Sequence, residues 1–291
     1  MLQLVATHGR DNPFGNRLDM EEQFENALRV GLDRVGADYA MEVPFRFAFY
    51  GDLWRPDGRS EWEGEEGAKD LAALELTTEL ELELAQELVE RAGLLEAGEK
   101  ALWDDLPHLV AEIEKRLPGV VSQGLLERFA SDTAEYFSFS KLRTLTMQRV
   151  ATQIEQAGGE VVLLAHSMGT IVGYDLLMSR PDLPVVGYIT FGSPLGFRVV
   201  LDRVGGANGT APFPPNLPRW FNIYNQQDLV ASVRLLEPLY ISEDGRRVED
   251  VDTGKMRKPS LFNLFAGHQP GDYLSSKAMG NAIRALVDSH S

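Results

Sequence analysis

Two spacings of apolar residues alternate along this chain. Short, mostly apolar runs at Leu2 to Thr7, Val43 to Tyr50, Val161 to Ala165, Val185 to Phe191 and Trp220 to Tyr224 predict strands, and the continuous run from Val161 suits one buried on both faces. Between them, apolar positions recur every three or four residues. Phe24, Leu28, Leu32 and Val35 mark one amphipathic helix, Lys141 to Gln156 another that stops at Gly158-Gly159, and Ala278 to Val287 a last one. Strand, helix, strand in chain order predicts an α/β fold with a doubly wound, mostly parallel sheet. No internal repeat or linker divides residues 1–291, so a single domain is expected.

One stretch, about 52–140, exceeds what such a sheet requires. Its first part is polar and Gly-rich, and its later part is helical in pattern. Leu76, Leu80, Leu84 and Leu88 form a strip at i, i+4 spacing, with Glu75, Glu79, Glu83 and Glu87 on a neighbouring face. The alternation from Glu79 to Leu84 also fits a strand, but length and the helix propensities of Ala, Leu and Glu favour a helix. Further helical patterns cover Glu99 to Leu117 and Gln123 to Phe137. The whole insertion reads as a helical cap or lid.

Composition narrows the setting. No apolar run approaches the roughly 20 residues that span a bilayer, although 44% of the 291 residues are hydrophobic. Met1 to His8 enters a strand pattern at once, without a secretory n-region, and zero cysteines fits a reducing compartment, so a cytoplasmic chain is expected. Lack of cysteine also excludes disulfides, a thiolate nucleophile and thiolate metal sites. The sequon Asn208-Gly209-Thr210 reads as a Gly-rich loop.

A net charge of -16 opposes nonspecific attraction to nucleic acid or an anionic bilayer. The basic stretch Lys255-Met256-Arg257-Lys258, with Arg246 and Arg247 upstream, reads as a solvated loop. The five histidines show no metal-ligand spacing, and neither a dinucleotide fingerprint nor a P-loop is present, so no metal and no cofactor are expected.

The richest segment is Val161-Val162-Leu163-Leu164-Ala165-His166-Ser167-Met168-Gly169-Thr170, a buried strand turning into a helix with serine at the apex. It resembles the nucleophile elbow of the α/β-hydrolases, with alanine in place of the first glycine of G-x-S-x-G. Ile189-Thr190-Phe191-Gly192-Ser193-Pro194 is similar to a strand end of their lipase-like members, which makes Ser193 a turn residue. The resemblance covers residues 1–9, 161–194 and 220–273, and implies an α/β-hydrolase fold with Ser167 as nucleophile. The insertion matches nothing comparable.

Acyl transfer through serine needs a base, an acid that orients it, and donors for the oxyanion. In this superfamily the acid and then the histidine follow the serine, which leaves His268 and the penultimate His290; His268, in a loop before the last helix, is the expected base. Asn225-Gln226-Gln227-Asp228-Leu229-Val230 resembles the N-x-x-D-x-V segment and makes Asp228 the acid. Its rivals Asp244, Asp250 and Asp252 sit in a charged stretch that reads as a solvated hairpin or loop. The resemblance puts the oxyanion hole on the backbone N–H groups of Arg10, in the His8-Gly9-Arg10 match to H-G-x, and of Met168.

Arg10 is more polar than is usual there, and a structural salt bridge is expected of its side chain. His8 and His166 read as structural companions, and His108 as exposed. Leu195, Phe197, Phe213 and Leu229 could line an acyl pocket under Trp54, Trp62 and Trp103, with ordinary core packing as the competing role. The activity implied is cleavage of a carboxylic ester, of lipid or acyl-ester type, with peripheral lipid contact left open. Thioesters, amides, acyl transfer, or a silent scaffold binding a partner through the acidic insertion are the alternatives.

Overall fold

A computed structural model describes residues 2–9, 16–59, 71–91, 125–228, 230–231, 235–254 and 267–290. Arg10, Trp62, Trp103, His108, Leu229, the Glu99 to Leu117 helix and the 255–258 basic stretch lie outside them.

Six parallel strands form the main sheet: β1 (Gln3–Thr7), β2 (Phe45–Ala48), β3 (Val161–His166), β4 (Val185–Phe191), β6 (Trp220–Tyr224) and β8 (Val248–Asp252), in the spatial order β2-β1-β3-β4-β6-β8. Two short strands, β5 (Ala211–Pro212) and β7 (Tyr240–Ile241), pair separately. Every residue of β3 is buried because both faces of the sheet are covered. Side chains alternate across it: Val161, Leu163 and Ala165 join the core on one face, Val162 and Leu164 the core on the other.

The helices divide accordingly. The helix α1 (Arg17–Asp33) packs with α8 (Pro270–Leu274) and α9 (Lys277–Asp288), its Phe24, Leu28 and Leu32 buried with Met279, Ile283 and Leu286. On the opposite face lie α5 (Ser140–Ala157) and α6 (Met168–Ser179), with Val150, Ile154, Ile171 and Val172 in the core. The chain runs from β1 outward to β2, then returns to β3 on the other flank of β1. That reversal makes the carboxyl ends of β1 and β3 a topological switch point, the place where open α/β sheets commonly hold their ligands.

The acidic stretch expected as a solvated hairpin or loop is instead partly a strand, since β8 is the sheet's edge. Its carboxylates are tolerated because neighbours solvate them: Asn222 Nδ2 donates to its register partner Asp250 at 2.7 Å, and Arg219, just before β6, reaches Glu249 at 2.9 Å. Charges on an edge strand also discourage pairing with another sheet.

Within the insertion, the short α2 (Pro56–Arg59) precedes α3 (Leu71–Arg91) and α4 (Leu125–Ser138), which pack against each other. The Leu strip is helical, with Leu80, Leu84 and Leu88 buried, so the strand alternative for 79–84 does not apply. Polar anchors tie the pair down. Glu87 accepts from the amides of Arg198 and Val199 at 2.9 and 3.3 Å, at the start of α7 (Arg198–Arg203). Tyr136 of α4 donates to the buried Asp175 of α6 at 2.8 Å, on the oxygen that Arg143 of α5 also holds at 2.8 Å. Trp54 is core rather than roof, 3% exposed beside Tyr50.

Candidate active site

Ser167 stands between β3 and α6 with φ 52° and ψ -127°, a region that non-glycine residues rarely enter. Three bonds hold the strained turn. Its N–H donates to the Phe191 carbonyl at 3.1 Å, and its carbonyl accepts from the Thr170 N–H at 2.9 Å and the Thr170 hydroxyl at 2.7 Å. Ser193 Oγ is 2.9 Å from that hydroxyl and accepts from the Leu195 amide, as befits a turn residue.

Close approach around the turn explains its small residues. A methyl built on Gly9 would stand 2.5 Å from Ser167 Cβ and 3.0 Å from its Oγ, and one on Gly169 would stand 2.7 Å from the His8 carbonyl. Neither distance is compatible with a side chain, so β1, β3 and α6 converge here only because both positions are glycine.

The turn after β6 is preorganised by its own side chains. Asn225 Oδ1 accepts from the Gln227 amide at 2.7 Å, and the Asp228 amide donates to the Asn225 carbonyl at 3.0 Å. Asp228 is 1% exposed, and its Oδ1 accepts from the Val230 amide at 2.9 Å. His268, 6% exposed, comes two residues before α8. Its Nδ1 lies 2.8 Å from Asp228 Oδ2 and its Nε2 2.8 Å from Ser167 Oγ. A carboxylate only accepts, so Nδ1 carries the hydrogen, and in the neutral imidazole Nε2 then offers its lone pair to the serine hydroxyl.

The structure therefore brings Ser167, His268 and Asp228 into one hydrogen-bonded line. The rival carboxylates are occupied elsewhere. Asp250 accepts from Asn222 and from the amides of Leu236 and Glu237, Asp252 from Gln226 and the Gly254 amide, and Asp244 pairs with Arg246 at 2.7 Å. His290 caps the carbonyl of Leu286 at the end of α9. Met168 opens α6, where the first amides lack intrahelical partners and the helix dipole is positive, next to Ser167 Oγ. The other expected oxyanion donor, the Arg10 amide, lies outside the described residues. Leu195, Phe197 and Phe213 are all buried in the core on the α6 face.

One residue went unread in the sequence. Tyr273 of α8 donates its hydroxyl to Asp228 Oδ2 at 2.7 Å, on the same oxygen as His268. Its spacing of five from His268 carried no signal, because the contact arises only when α8 folds back over the turn after β6.

His8 and His166 are packed rather than poised. Among the described contacts, His8 stacks on Tyr50 at 4.3 Å and accepts from the Tyr50 amide at 3.2 Å, and burial, partly offset by the bond to the Gly9 carbonyl, lowers its pKa from 6.5 to about 4. His166 is fully buried, with Nε2 3.1 Å from the His268 carbonyl, and burial foremost, then the nearby His268, holds it well below the usual imidazole range. Both are neutral in the fold at neutral pH, whereas in the unfolded chain they take up protons near pH 6.5.

Their contribution to stability is therefore whole above pH 6.5 and is lost as pH falls, for His8 through the window from 6.5 down to about 4. His8 alone accounts for about 2 kcal/mol between pH 7 and 5, above most carboxylate titration. Urea unfolding across that range should show the midpoint falling, with a shallower fall in His8→Gln. A flat midpoint would contradict a neutral buried His8.

Among the described residues no group of three or more His, Asp or Glu side chains is arranged to hold a metal ion, and no helix is long and apolar enough to cross a membrane. Comparison with known proteins gives no assignment: no family model matches the chain, and no curated protein or solved structure matches it significantly.

Proposed function

We propose that this chain is a serine hydrolase of α/β-hydrolase fold that cleaves carboxylic esters, of lipid or acyl-ester type, through an acyl-Ser167 intermediate. The observation that carries the reading is the pair of 2.8 Å contacts joining Ser167 Oγ, His268 and Asp228 on a strained strand-to-helix turn. Its placement at the switch of strand order supports it.

In this reading His268 Nε2 takes the hydroxyl proton as Oγ adds to the ester carbonyl. Asp228 holds the imidazole in that tautomer and stabilises the imidazolium. The oxyanion is met by the amide of Met168 and, as the family resemblance implies, that of Arg10. His268 then protonates the departing alcohol, and water activated by the same nitrogen releases the acid. The helical insertion, anchored through Glu87 and Asp175, serves as the cap. Thioesters and amides would use the same groups, and chromogenic substrates differing in leaving atom and acyl length separate them.

The test is covalent. A fluorophosphonate probe is expected to add one adduct per chain, mapped by peptide mass to Ser167. A folded wild-type protein that stays unlabelled at high probe concentration, with detergent added to open the cap, would remove the hydrolase reading.

A further inference from the structure

The carboxylate behind the proposed base is shared. Asp228 Oδ1 is taken by the Val230 amide, and Oδ2 receives both His268 Nδ1 at 2.8 Å and the Tyr273 hydroxyl at 2.7 Å. Tyr273 is fully buried, and the short helix that carries it is fixed from below. The Leu274 carbonyl presses so closely on α1 that a methyl on Gly31 would meet it at 2.2 Å, and Arg34 donates to the Ser275 carbonyl at 2.5 Å. The phenol ring lies 6.0 Å from Phe191 and 6.4 Å from His166. The hydroxyl is therefore held on Oδ2 by packing on several sides, not by a mobile side chain.

We propose that Tyr273 is a positioning residue of this site: its hydroxyl competes with His268 for Asp228 Oδ2 and so limits how strongly the carboxylate draws a proton onto the imidazole. The proposal rests on Ser167 being activated by His268. Two donors on one oxygen divide its negative charge, so each bond weakens the other's hold on that charge. Without the hydroxyl, more of the charge faces Nδ1–H, and the imidazolium form of His268 is favoured. The base would then be protonated over more of the neutral range and unable to accept from serine.

Among the described contacts, the groups facing His268 come from four elements. From the turn after β6 comes Asp228, from α8 Tyr273, from β3 His166 with its ring centre 4.9 Å away, and from the head of α6 Ser167. Burial foremost, then the adjacent Asp228, pushes the Tyr273 phenol well above its ordinary range, so it stays a donor at neutral and acid pH.

The experiment follows the ring nitrogens of His268 by NMR as pH is varied, assigned by their loss in His268→Gln. Tyr273→Phe is expected to raise the His268 midpoint by about 0.5–1 pH unit, the size of one hydrogen bond's differential effect. The acid limb of kcat/KM should rise with it. Incorporating 3-fluorotyrosine at position 273, a stronger donor of nearly the same shape, should move the midpoint the opposite way. That opposite sign is not given by a purely structural loss. An unchanged midpoint in both folded variants overturns the proposal. If the midpoints move as expected while the wild type resists the fluorophosphonate probe, the hold of Tyr273 on the imidazole stands and the hydrolase reading falls.

Discussion

If the hydrolase reading holds, Ser167→Ala is expected to lose about 10⁵–10⁶-fold in ester turnover while the fold persists. Alanine removes only Oγ, the atom 2.8 Å from His268 Nε2, and keeps the Cβ already accommodated beside Gly9. The three backbone contacts of the turn do not involve the hydroxyl, so the backbone at φ 52° is held as before. What remains is the residual rate supplied by substrate binding and oxyanion donors, of order 10³ over water in comparable sites. Turnover of a chromogenic ester, measured beside thermal unfolding, decides it. A variant within tenfold of wild type at unchanged stability would show that another group is the nucleophile.

Asp228→Asn should cost about 10⁴-fold in turnover with little loss of fold. The surroundings leave the amide no good orientation. With its NH2 toward His268, it donates to Nδ1, forces the hydrogen onto Nε2 and blocks proton transfer from Ser167. With its oxygen toward His268, the tautomer is right, but NH2 meets the Val230 N–H that Oδ1 accepts at 2.9 Å, donor against donor. Reaction rates with the fluorophosphonate probe give the chemical step directly. Near wild-type labelling would transfer the acid role away from Asp228.

What was legible in the sequence follows from burial. The strands β1, β3, β4 and β6 lie inside the sheet, so their apolar runs announce them, and α3 declares itself by the period of its leucines. The strand β8 did not, because an edge strand needs only Val248 and Val251 inward and offers its carboxylates to Asn222, Arg219 and solvent. Such a charged stretch has the pattern of a loop. In the candidate site, Ser167 and Asp228 sit in segments that carry the family resemblance, and His268 is singled out by the chain order that resemblance implies and by the scarcity of rival histidines. Tyr273 belongs to none; its partner is 45 residues away and is met only after α8 closes over the turn.

Because all six strands of the main sheet run the same way, every loop at their carboxyl ends opens onto one rim. Ser167, Asp228 and the helical insertion after β2 all leave the sheet there, while among the described residues the opposite rim carries the returning connections. In the proposed reading, chemistry and selectivity are thus confined to one end of the molecule. Variation in length or composition along that end can retune what the chain accepts, leaving the two apolar layers beneath it untouched.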